Sequence, residues 1–128
     1  MEGELSKVVK RMLDRFEKMD FDGVISLVGP NVQGVDELSR TWLRSQSELR
    51  KYFEAVSGAV TNISGSFRDI HEKTLGDVGI FTGWLDQDYT LNGKREHVSA
   101  PTTAVLQRTA GEWKIILFHS IPMPENPA

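Results

Sequence analysis

The chain has 128 residues, a formal net charge of -3, 39% hydrophobic and 26% charged residues, and no cysteine. This length fits one domain over residues 1–128 that buries roughly two thirds of its unfolded surface in a single core, and the mild acidity without a basic run leaves no footprint for nucleic acid. The lack of cysteine excludes disulfides and thiolate chemistry and fits a cytoplasmic protein, while Glu2, Glu4, Lys7, Lys10 and Arg11 leave neither a signal-peptide core nor a membrane span at the start.

Leu5, Val8, Val9, Met12, Leu13, Phe16 and Met19 recur at helical spacing, with charges around the other side, and predict a long amphipathic helix. Asp20 or Asp22 can cap a second, shorter helix carrying Val24, Ile25, Leu27 and Val28, which Gly29-Pro30 ends. Ser45 and Glu48 have capping-box spacing, and Leu49, Tyr52, Phe53 and Val56 then mark a third helix that closes near Gly58.

From Thr61 the hydrophobic period falls to two, giving strand patterns over about 61–72, 77–91, 94–108 and 112–121. Turn signals at Leu75-Gly76, Asn92-Gly93 and Ala110-Gly111 divide them, and Asn-Gly suits a two-residue turn with positive φ at both positions. A tight turn there sets Asp88 opposite His97, Asp86 opposite Ser99 and Trp84 opposite Pro101 on one face. The other face sets Phe81, Leu85 and Tyr89 against Ala104, Ala100 and Glu96. Continued through Ala110-Gly111, that second face takes in Trp113, Ile115, Leu117 and His119, so one imidazole interrupts an apolar row. The opposite face, with Val78, Ile80, Thr82, Trp84, Val105, Ile116 and Phe118, is too apolar to stay wet. Three helices followed by a meander of antiparallel strands form an α+β pattern, and the proline-rich residues 122–128 form a tail.

An imidazole among apolar side chains can shuttle a proton near neutral pH, which makes His119 a candidate acid or base; its plainer role is a core histidine bonded to a neighbouring element. Asp69 and His71, two residues apart, point the same way on the face of Ile63 and Phe67. If that face is concave, Asp69 can serve as general base with its pKa raised by apolar surroundings; if the strand end has reached solvent, both are simply exposed. Asp86, Asp88 and His97 offer three metal ligands without a fixing motif, so a cross-strand Asp88–His97 pair is preferred and no metal is expected. Trp42 lies in an irregular stretch where a pocket mouth belongs, beside Asp36 and Glu37, and His71, Tyr89 and Trp113 are further ligand-facing candidates. No serine has a nucleophile-elbow context, and phosphate-loop spacing is missing.

Gly34-Val35-Asp36-Glu37 before the third helix, the run from Pro101 to Arg108, and the ending Gly111-Glu112-Trp113-Lys114-Ile115 to His119-Ser120 resemble the SnoaL-like branch of the nuclear transport factor 2-like superfamily. The resemblance covers nearly the whole chain. It implies a cone in which three N-terminal helices pack in the concavity of a curved, mainly antiparallel β-sheet. It also implies an internal pocket for a small apolar or aromatic organic ligand, and a homodimer through the outer sheet face at Trp84, Ile116 and Phe118. Relatives range from ketosteroid isomerase-like enzymes, polyketide cyclases and dehydratases to a kinase association domain, so the fold implies no single reaction. Two functions are therefore expected: cofactor-free isomerisation, cyclisation or dehydration with Asp69 or His119 as acid or base, or a non-catalytic dimeric binding or association module. Pro101 and Leu117 stand where many relatives carry an arginine and a histidine.

Overall fold

The apolar stripe at the start of the chain becomes α1 (Glu4–Glu17), with Leu5, Val9 and Leu13 buried, in a computed structural model that describes residues 3–124. Asp20 caps α2 (Phe21–Ile25), its carboxylate accepting from the Gly23 amide at 3.0 Å. This helix is shorter than expected. Residues from Val28 onward form an edge strand, β1 (Val28–Asp36), so Gly29-Pro30 stand within a strand instead of stopping a helix, and an edge tolerates the proline's missing N–H. α3 (Gln46–Ala59) starts at the expected box: Ser45 Oγ accepts from the Glu48 amide at 3.0 Å, while Glu48 Oε1 accepts from the Arg44 amide at 2.9 Å.

β2 (Val60–Leu75), β3 (Val78–Leu91), β4 (Lys94–Thr109) and β5 (Glu112–Ser120) complete a sheet of order β1-β5-β4-β3-β2, with β1 parallel to β5 and the other pairs antiparallel. Asn92 and Gly93 have φ of 50° and 84°, and the β3–β4 register is the one their turn dictates, including Asp88 with His97, Trp84 with Pro101 and Leu85 with Ala100. Together these elements form the α+β fold expected.

Register breaks by one residue at three places outside β1: near Asn62 and near Asp69 in β2, and at Ile116 in β5. Asn62 and Asp69 have φ of 51° and 53°, the left-handed conformation a bulge can use. Each bulge bends its strand and re-aims the side chains beyond it. In β5, Trp113 and Ile115 are buried toward the helices, but beyond Ile116 the inward positions pass to Phe118 and Ser120, whereas Leu117 and His119 turn to the other face. The row expected to run from Trp113 to His119 is therefore broken, and Phe118, expected on the outer face with Trp84, packs against the core instead. In β2, Phe67 and Ile70 pack against the core while Asp69 occupies the bulge and His71 faces solvent, so these two do not share a face with Ile63 and Phe67.

The main core, between helices and sheet, includes Leu5, Val9, Phe53, Phe81, Leu106 and Ile115; a second cluster holds Val56, Val60, Ile63 and Tyr89. Phe21 and Phe53 stack with ring centres 4.8 Å apart. At Gly79 a Cβ would lie 2.6 Å from Leu5 Cδ2, so its lack of a side chain lets α1 settle on β3. Glu72 of β2 anchors the start of that helix by accepting from the Leu5 amide at 3.0 Å and from the Ser6 hydroxyl. None of the described helices is long and apolar enough to cross a membrane. The expected tail lacks regular structure over residues 121–124, and residues 125–128 lie outside the described ones.

Candidate ligand pocket

Between α1, α3 and the sheet lies a cavity of about 100 Å³ whose walls include Leu13, Phe16, Phe53, Leu85, Ile115 and Phe118. Cross-strand alternation puts the small Ala100 opposite Leu85, which leaves space where a longer side chain would fill it. The polar side chains lining this cavity are Asp36 and Glu37 at the end of β1, Tyr52 of α3, Gln87 of β3 and Ser120 of β5.

Asp36 closes the turn after β1. Its Oδ1 accepts from the amides of Leu38 at 3.0 Å and Ser39 at 2.8 Å, and Ser39 Oγ accepts from the Asp36 amide at 3.0 Å. The Tyr52 hydroxyl lies 2.8 and 2.7 Å from the two Asp36 carboxylate oxygens. Burial pushes the Asp36 carboxyl above its ordinary pKa, against the bonds from Ser39, Tyr52 and Leu38 that stabilise its charge. Burial, followed by the charge of Asp36, pushes the Tyr52 phenol far up. Tyr89 donates to Glu37 Oε2 at 2.9 Å, and burial together with that bond raises its phenol as well. On the sheet floor, Thr102 Oγ1 sits 3.1 Å from the Ala100 carbonyl and 2.8 Å from Ser120 Oγ.

The six residues expected at a site form two separate pairs and two packing groups, none lining this cavity. His119 is half-buried on the outer side, its ring centre 6.2 Å from that of Trp42; Trp42 is 37% exposed, with the Arg44 guanidinium 5.7 Å from its ring centre. Asp69 and His71 meet at 3.2 Å in solvent, their side chains 66% and 76% exposed. Tyr89 supports Glu37 from outside the lining. Trp113 is buried, its indole donating to Glu4 Oε2 at 3.1 Å and its ring facing the Arg108 guanidinium. Asp36 and Glu37 do border the cavity, as their place near a mouth suggested. Tyr52, read as part of a helix stripe, Gln87 and Ser120 are the polar groups missed; for Tyr52 the signal was an aromatic on the inward stripe of a helix with a hydroxyl to satisfy.

On the outer face, Asp88 and His97 pair at 2.7 Å as expected. Asp86 accepts from Ser99 at 2.6 Å and Arg68 at 2.8 Å, and these two bonds hold its carboxyl below the usual range. The Arg68 guanidinium lies 5.1 Å from the Trp84 ring centre.

The fold has many solved counterparts. A nuclear transport factor 2-like superfamily protein from Salmonella enterica superposes with a TM-score of 0.86 at 14% identity, over 97% of this chain and 92% of that one. A ketosteroid isomerase-like protein from Erwinia carotovora gives 0.80 at 14% identity over 94% of each chain, and the S. rosetta CaMKII hub gives 0.81 at 18% identity over 96% of this chain and 99% of its own. No curated protein sequence matches the chain significantly. The sequence profile of the SnoaL-like domain matches residues 5–124, and the chain belongs to that SnoaL-like family.

Proposed function

We propose that this protein binds a small, largely apolar organic molecule in the cavity between its helices and sheet, with the molecule's polar end beside Asp36, Glu37 and Tyr52. The observation that carries this reading is the division of the cavity into aliphatic and aromatic walls and one polar end, the arrangement that holds and orients small ligands. The structural counterparts span an isomerase-like protein and an association hub, so they favour neither catalysis nor assembly. Acid–base chemistry by Asp69 or His119 would take place outside the cavity. A cytoplasmic setting suits the cysteine-free chain.

A thermal-shift screen of small aromatic molecules tests the proposal, since a ligand at a hundred times its Kd stabilises the folded state by about 2.7 kcal/mol. Ala100→Leu fills the cavity and is expected to abolish the shift, whereas Asp69→Asn and His119→Ala keep it. A shift lost in the latter two and kept in Ala100→Leu would move the site elsewhere.

The second element of the proposal is a partner copy of the chain on the outer face of β3, β4 and β5. Ile80, Trp84, Val105 and Leu117 stand there half-buried, and none is among the described residues packed against the two core clusters. Trp84 with Arg68 over its ring offers the aromatic and arginine chemistry that anchors interfaces. Light scattering is expected to give twice the mass of the chain at micromolar concentration, and a monomer there removes this element.

A further inference from the structure

The side chains at the polar end of the cavity have already committed their protons, and that decides which ligand groups they can meet. Asp36 Oδ1 accepts from the amides of Leu38 and Ser39 and the phenol of Tyr52 donates to the same carboxylate, bonds that suit its ionised form and leave Oδ2 with lone pairs for a further donor. Tyr52 has placed its one proton between the two Asp36 oxygens, so toward a ligand its oxygen only accepts. Tyr89 gives its proton to Glu37, which retains lone pairs for a further donor. Thr102 uses its single proton on the Ala100 carbonyl; the bond between Thr102 and Ser120 is thus donated by Ser120, whose oxygen also only accepts. Of the polar side chains lining the cavity, Gln87 alone brings protons to share, and no lysine, arginine or histidine is among the described lining residues.

Resting on the cavity reading above, we infer that the ligand is a small amine, an apolar body whose protonated nitrogen docks between the Asp36 and Glu37 carboxylates. An alkylammonium supplies up to three donors to a site made of acceptors and neutralises two adjacent carboxylates held against apolar walls. Buried charge is costly unless paired, so the amine relieves a cost that the empty site bears. Burial already pushes the Asp36 carboxyl up, the direction an incoming cation reverses. Carboxylate, phosphate and ketone ligands would bring acceptors to acceptors, and the first two would add like charge. The same distribution of protons leaves Gln87 as the one lining side chain able to donate to an enolate oxygen, which favours binding over proton abstraction next to a carbonyl.

Four probes that share a phenyl body test this with the full chain at neutral pH by calorimetric or NMR titration: phenethylamine, phenethyl alcohol, phenylacetate and ethylbenzene. The amine is expected to bind about tenfold tighter than the alcohol, a difference of about 1.4 kcal/mol, and phenylacetate is expected not to bind. Glu37→Gln should remove the amine's advantage while ethylbenzene binding stays unchanged; it avoids the turn-closing bonds of Asp36, whose Asp36→Asn variant serves as the second probe of the same end. Phenylacetate binding as tightly as the amine, or an amine advantage that survives both variants, overturns the inference. If ethylbenzene and the alcohol bind with no preference for the amine, the inference falls and the cavity reading stands. If none of the four binds, both fall.

Discussion

Glu17, near the end of α1, shows at the scale of one residue how this small core treats charge. Its Oε1 is buried with no hydrogen-bond partner among the described residues, and burial raises its carboxyl pKa, with Asp14 adding to the rise and the Gly65 backbone bond opposing it. A folded-state pKa above the unfolded value means that folding takes up a proton between the two. The stability linked to this group is then complete below its ordinary value of 4.5 and is lost as pH rises through the folded value. Glu17→Gln is therefore expected to raise Tm by a few degrees at neutral pH and to lose that gain as pH falls below 4.5. Calorimetry at both ends of the range checks it, and an equal gain at both would reject the linkage. Single-residue chemistry was only partly legible in the sequence. Asp36 stands in a recognisable turn context, but its bond to Tyr52 depends on how α3 docks against the end of β1, which hydrophobic period does not encode.

At the scale of elements, local rules carried far. The Ser45 cap, the Asn92-Gly93 hairpin and the β3–β4 register all arise from short-range chemistry and are found as expected. The bulges are harder to read. Asn62 and Asp69 are at least residue types that tolerate positive φ, but nothing at Ile116 distinguishes it from its neighbours, so the alternation in β5 reads as continuous. The β4–β5 hairpin contains a testable weakness: Ala110 holds φ of 53° ahead of Gly111 at 81°, a left-handed position that penalises a Cβ without a local polar group. Ala110→Asn or Ala110→Gly is expected to stabilise the protein by about 0.5–1 kcal/mol, read from the urea midpoint. A lower midpoint in both variants would count against this account of the turn.

For the whole molecule, the two proposals turn on which side of the sheet would meet a partner copy and which would meet a ligand. Leu117 and Trp84 belong to the outer face, whereas Phe118 lines the cavity. Leu117→Glu and Trp84→Glu are expected to give folded monomers, and Phe118→Glu to lower Tm sharply by placing an unpaired charge among apolar walls. Size-exclusion with light scattering and circular dichroism separate the outcomes; a folded Phe118→Glu monomer beside a Leu117→Glu dimer would reverse the face assignment. The α+β architecture was legible from the order of helical and strand periods, because each element needs one covered face. The resemblance implied an interior pocket, but the cavity's lining and volume were not legible, since they arise from the fit between α1, α3 and a bent sheet.

The one-residue break at Ile116 gives β5 two reading frames. Before it, the odd-numbered side chains Trp113 and Ile115 belong to the interior; after it, the even-numbered Phe118 and Ser120 do. Removing a single residue from this strand would restore one frame throughout and exchange the wall of the cavity for the outer surface in a single step. Substitutions within β5 leave this two-frame arrangement in place, whereas a change in the strand's length does not.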